Sequence, residues 1–237
     1  MDPAATHARL HVGLCQPLPP AIAGVLAAWL RAGGTSVEVL REGLGAEGHL
    51  WVALEAPFSM DDLATLVADG AVPDRSPALP AAAPDGAAPR RDAAPPRNAA
   101  APPICTLFGP ALADPTLAAD VARRCPGARI VTGDPTGVAD LSALPITTWA
   151  GFDLPRGAPR RILAGRRDRV RPIAHVLREI SYAVEMQGVG HVFFDDEDLA
   201  HYGDWLPKFE RELARLPWPL RWEATVDGAR ESGGRLS

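Results

Sequence analysis

The sequence predicts an α/β protein built on a doubly wound parallel sheet, and three observations carry that reading. Short apolar runs suited to buried strands alternate with stretches whose apolar residues recur at helical spacing. Glycines and capping residues stand where the helical stretches stop and start. The chain has 237 residues, 47% of them apolar, enough for one large domain or one and a half small ones.

Residues 9–14 form the first apolar run and end at Cys15, Gln16 and Pro17. Ile22, Val25, Leu26, Trp29 and Leu30 follow at helical spacing, and Gly33 and Gly34 supply the stop. Strands are expected at residues 36–40 and 49–54. Ser59, with Asp62 three residues on, caps a helix that uses Met60, Leu63, Leu66 and Val67. Residues 72–103 are almost wholly Ala, Pro, Asp, Arg and Gly, too poor in apolar side chains to offset their ordering entropy, so they read as a disordered insertion. The alternation then resumes with a strand at 104–108, a helix at 117–124 and a strand at 129–132, so the insertion interrupts a domain and does not separate two.

Beyond it, residues 145–152 read as another strand. Pro172 opens a helix with Ile173, Val176, Leu177, Ile180, Ala183 and Val184 on one face, ended by Gly188. Residues 191–194 form a strand. Asp204 caps a last helix carrying Trp205, Phe209, Leu213 and Leu216, and residues 220–226 form a final strand. That strand would leave an apolar edge that something must cover, whether the C-terminal tail folding back or a second polypeptide completing the barrel, unless the chain is a decayed fragment; Phe193, Trp222 and Ala224 are the apolar candidates on the uncovered face.

Composition excludes several classes. The net charge of −5 gives no global reason to expect nucleic acid or an anionic membrane. Lys208 is the single lysine, so the arginine content reflects composition more than guanidinium chemistry. Cys15, Cys105 and Cys125 are far apart with no C-x-x-C pair, which suggests neither a zinc site nor a disulfide framework. The amino terminus lacks a basic stretch followed by an apolar core, so a cytoplasmic location is expected. No histidine pair has ligand spacing, and there is no P-loop or G-x-S-x-G. Arg156, Arg160, Arg161, Arg166, Arg167, Arg169 and Arg171 make a basic stretch that is either a solvated loop or a surface for phosphate or an acidic partner.

Several of these segments resemble one family. Arg156, Gly157 and Pro159, the helical run 169–180, Phe193, Phe194, Asp195 and Asp196 after residues 189–192, and Arg221-Trp222 look like successive parts of cobalamin-dependent (B12-binding) radical-SAM proteins. Gln16-Pro17, residues 23–30 and 33–40, and Gly109-Pro110 are similar to the cobalamin-binding domain of the same proteins. The resemblance implies a Rossmann-like, B12-binding-like sheet over 8–144, about half of a radical-SAM β/α barrel over 145–228, and a tail at 229–237. In that family a C-x3-C-x2-C loop ligates a 4Fe–4S cluster. Here the three positions fall on Ala158, Ile162 and Gly165, whose side chains cannot bind iron, so no cluster is expected.

The resemblance further implies a corrin near Gln16, Pro17, Gly109, Pro110 and Gly133, bound without a protein imidazole on cobalt, because the loop after the first strand has no histidine; ordinary turns are the plain alternative for these glycines. It assigns Asp195 and Asp196 to the S-adenosylmethionine side, with an acidic turn before a helix as the plain alternative. The third strand ends in Val226-Asp227, where the family carries an arginine, which weakens the S-adenosylmethionine reading. The expected protein is a degenerate, non-catalytic binding or partner subunit, a pseudoenzyme. Half of a split enzyme, or a decayed fragment, are the alternatives. The partner would be a chain that completes or covers the half barrel, or a second copy.

Overall fold

In the computed structural model, residues 7–15, 18–42, 48–70, 105–132, 134–166, 169–196, 198–226 and 229–235 are described. The insertion at 72–103 and the residues Gln16, Pro17 and Gly133 lie outside them. Strands β1 (His7–His11), β2 (Ser36–Leu40), β3 (His49–Ala53), β4 (Cys105–Phe108) and β5 (Arg129–Val131) form a parallel sheet in the order β2-β1-β3-β4-β5. Parallel strands covered on both faces must be apolar nearly throughout, and all four residues of β4 are buried.

Alternate residues serve opposite faces. Ala8, Leu10 and Phe108 pack with Leu26 and Leu30 of helix α1 (Ala21–Ala32). Leu50, Val52 and Leu107 pack with Leu63 of α2 (Met60–Gly70) and Val121 of α3 (Pro115–Arg124). The Ser59 hydroxyl accepts from the Asp62 amide at 3.2 Å, as its spacing predicts. Asp114 caps α3 by accepting from Thr116 at 2.8 Å. The α/β class with a doubly wound parallel sheet is therefore borne out.

A second sheet has the order β11-β10-β9-β6, in which β6 (Arg160–Ile162), β9 (His191–Phe194) and β10 (Leu220–Val226) are parallel and β11 (Ala229–Arg235) is antiparallel to β10. Two short strands, β7 (Gly165–Arg166) and β8 (Arg169–Val170), form a hairpin after β6. Helices α4 (Ile173–Gln187) and α5 (Trp205–Leu213) cover one face, where Ile162, Val192, Phe194 and Trp222 meet Val176, Ile180 and Phe209. Phe209 makes an edge-to-face contact with Phe194 at 5.3 Å and stacks on Trp205 at 5.1 Å. Gly188 ends α4 in the left-handed conformation at φ 70°, as expected of a C-terminal glycine.

Three expectations are corrected here, and one open alternative is decided. Residues 145–152 are not a strand. Trp149 and Phe152 are buried in the α1 side of the first sheet's core, and a Cβ on Gly24 of α1 would lie 2.9 Å from the Trp149 ring. The segment is thus a strap over α1, turned by Trp149 at φ 54°.

Of the ways to cover the edge of β10, the chain's own tail is the one seen: β11 pairs along the whole strand from Leu220 to Val226. A further parallel strand from another chain could not join β10 without displacing it. Trp222 and Ala224 face the helices, while Arg161, His191, Phe193, Arg221 and Glu223 occupy the alternate positions, so the other face is mainly polar. Finally, Asp204 stands before α5 but makes no side-chain capping bond; it pairs with Lys208 at 3.4 Å.

Candidate functional site at the strand ends

In open parallel sheets, ligands sit at the carboxyl ends of the strands. The described polar side chains there hold each other. Arg161, in β6, carries two carboxylates: Glu55, just beyond β3, and Asp195, just beyond β9, with its Nε 2.6 Å from the Asp195 Oδ1. Asp195 Oδ2 also accepts from the Ala21 amide at 2.6 Å, the first residue of α1. Helix α1 begins after Pro20 with no capping side chain and no acid in its first turn. The cap is supplied from 174 residues away. One guanidinium and one carboxylate therefore join the two sheets.

Burial pushes the Asp195 carboxyl up to about 6, against the pull of Arg161 and the Ala21 amide. For Arg161, burial works against the charge, but Asp195 and Glu55 outweigh it and the pKa is raised. Cys15 lies beside this group, its Sγ 3.3 Å from the Ala53 carbonyl. Burial, reinforced by the Glu55 charge, pushes the thiol up to about 12, so at neutral pH it is not a thiolate. Cys105 is likewise held near 12 by burial.

Asp196 does different work. Its Oδ2 accepts from the Ala164 amide at 2.8 Å, and its Oδ1 from the Gly165 amide at 2.6 Å and the Tyr202 hydroxyl at 2.9 Å. Burial pushes its carboxyl up to about 6 despite these donors. The same loop is anchored by Arg171, which is 1% exposed, donates to the Leu163 carbonyl at 2.8 Å and pairs with Glu179 at 2.6 Å. Asp196 and Arg171 thus hold residues 163–165, between β6 and β8, as a bracket, and both Asp196 oxygens accept hydrogen bonds there.

Of the remaining site candidates, Gly109 and Pro110 do lie at the carboxyl end of β4. A Cβ on Gly109 (φ 134°) would meet the Leu54 carbonyl oxygen at 2.2 Å, so this glycine permits a close approach of backbone to backbone. Gln16, Pro17 and Gly133 lie outside the described residues. Ala158, Ile162 and Gly165 do not share one loop: Ala158 precedes β6, Ile162 lies in it facing the helices, and Gly165 opens β7. No group of three His, Cys, Asp or Glu among the described residues could hold a metal ion, and no described helix is long and apolar enough to cross a membrane.

No known family model, curated protein or solved structure matches this chain.

Within the arginine stretch, Arg156 and Arg169 are exposed, but Arg160, Arg161, Arg166 and Arg171 are at least half-buried. Arg161 and Arg171 are paired as above, and Arg166 pairs with Asp134. Burial, with Arg171 and Arg169 nearby, lowers the Arg166 pKa to about 10. His175 is buried in the first turn of α4, and burial lowers its pKa to about 4, so it is neutral. His191 is half-buried and pairs with Glu223 at 3.0 Å. Sequence reasoning singled out Asp195 and Asp196 but missed Arg161 as the partner of Asp195, and Glu55 as the carboxylate that shares that arginine. The available signal was a charged residue, Arg161, one place before the apolar run Ile162 to Ala164.

Proposed function

We propose that this chain is a non-catalytic relative of the cobalamin-dependent radical-SAM proteins that acts as a binding or partner subunit. One observation supports this reading above the others: the polar groups at the strand ends bind the protein to itself. Asp196 gives both oxygens to Ala164, Gly165 and Tyr202, which does not fit a carboxylate that holds the methionine part of S-adenosylmethionine. The cluster positions hold Ala158, Ile162 and Gly165. A corrin laid across the strand ends would have to part Arg161 from Glu55 and Asp195, and Gly109 faces Leu54 and not a ligand cradle. The described residues therefore do not fit a corrin in this arrangement.

Equilibrium dialysis against S-adenosylmethionine and against hydroxocobalamin tests the reading. Neither should be retained. Retained S-adenosylmethionine would show that the strand-end carboxylates hold a ligand after all and would overturn the self-bound reading of Asp196. A retained corrin would show that the Arg161 group opens, and its spectrum would then report a base-off form with no protein imidazole.

A further inference from the structure

A groove at the opposite end of the second sheet has chemistry of its own. Arg160 is the first residue of β6, in register with Val192 of β9, whereas Asp195 and Asp196 follow the far ends of the strands. Arg160 is 3% exposed and forms no ion pair among the described residues. Its Nε donates to the Gln187 side chain at 3.0 Å, and its Nη1 donates to the Ala158 carbonyl at 2.6 Å and the Pro159 carbonyl at 3.3 Å. Among the described residues its Nη2 has no hydrogen-bond partner, yet it is not one of the described side-chain nitrogens sealed from solvent. A buried cation with no counter-charge is costly, and natural proteins normally pair it. Burial lowers its pKa, as that cost requires.

The free edge of this guanidinium lines a groove of about 560 Å³. Arg156 lies on the rim, and Met186, 65% exposed, gives most of the apolar surface, with the small exposed parts of Trp149 and Phe152 at the floor. The volume is within the range of small-molecule sites, about 300–1,000 Å³. Charge in the groove is limited. Two guanidiniums face one lining carboxylate, Asp153, and the carbonyl end of α4, which carries partial negative charge and no basic residue in its last turn. A singly charged group matches that small excess better than a phosphate dianion.

We propose that this groove binds a carboxylate carried on an aromatic or aliphatic body, with Nη2 of Arg160 and the Arg156 guanidinium on the carboxylate and the body against Trp149 and Met186. The site is independent of the reading above, since it shares no residue with the strand ends. A free small acid and the carboxyl terminus of a peptide present the same chemistry.

The test is titration of the full chain, by calorimetry and ligand-detected NMR, with three probes: 3-phenylpropionate, N-acetylphenylalanine and N-acetylphenylalanine amide. The acids should bind at least about tenfold more tightly than the uncharged amide. Phenylpropionate as the tighter acid would indicate a free small acid, and N-acetylphenylalanine a peptide terminus. Arg160→Met should abolish the preference for acid over amide. Arg156→Gln, an exposed change that leaves folding intact, should weaken the acids severalfold and keeps the test open if Arg160→Met does not fold. Equal binding of acid and amide, no acid binding below about 10 mM, or an acid affinity unmoved by Arg156→Gln would overturn the proposal. Arg160 would then be only the counter-charge of the α4 carbonyl end.

Discussion

Replacing Asp196 by alanine should destabilise the fold by about 2–5 kcal/mol, and by more at pH 5 than at pH 7. The substitution strands two sealed amides, Ala164 and Gly165, each costing about 1–3 kcal/mol when left without an acceptor. The Tyr202 hydroxyl is only half-buried and can recover a water. The pH dependence follows from the carboxyl itself. In the folded chain it keeps its proton up to about pH 6, while in the unfolded chain it releases it near 3.8. Between those values the native state binds more protons, so this group's contribution to stability falls as pH rises and returns on acidification. At about 1.4 kcal/mol per pKa unit, moving from pH 7 to pH 5 returns about 1 kcal/mol to the wild type and nothing to the alanine variant. Urea unfolding at the two pH values, followed by tryptophan fluorescence, measures both quantities. A loss below about 0.5 kcal/mol, or a gap that narrows at pH 5, would refute the claim that Asp196 is a buried carboxylate holding the β6–β8 bracket.

Two further perturbations probe how the sheets are joined. Arg161→Met leaves Glu55 and Asp195 facing each other without a cation and should cost about 3 kcal/mol at pH 7; a double-mutant cycle with Glu55→Gln should show coupling, and additive losses would deny that the two residues act together. Gly24→Ala should destabilise by about 1–3 kcal/mol, although alanine usually favours an exposed helix position by up to about 1 kcal/mol, because the new methyl would strike the Trp149 ring and Thr147; a rise in melting temperature would show that the strap over α1 is loose.

The first sheet was legible because its signals are local. Strands buried on both faces read as apolar runs, and the Gly33-Gly34 stop and the Ser59 cap lie next to the helices they bound. The second sheet was legible in its helices and in β9 and β10, but not in its limits or in β6, which lies in the stretch read as a loop after the expected strand at 145–152. Residues 146–149, Ile-Thr-Thr-Trp, have strand-forming side chains, yet their partner is α1 and not a neighbouring strand. Strand β11, Ala-Arg-Glu-Ser-Gly-Gly-Arg, lacks apolar alternation and is specified by its register on β10, although Asp227-Gly228 is a familiar signal for a hairpin turn. The roles of Asp195 and Asp196 depend on partners 174 and about 31 residues distant, which sequence spacing does not reveal.

Anaerobic reconstitution with iron and sulfide, followed by reduction in the presence of S-adenosylmethionine, tests most directly whether this chain is non-catalytic. With Ala158, Ile162 and Gly165 at the ligand positions and three buried, protonated cysteines elsewhere, no stoichiometric cluster should form and no deoxyadenosine should be released. A visible charge-transfer band from one cluster per chain, abolished by replacing Cys15, Cys105 or Cys125 and accompanied by S-adenosylmethionine cleavage, would contradict it.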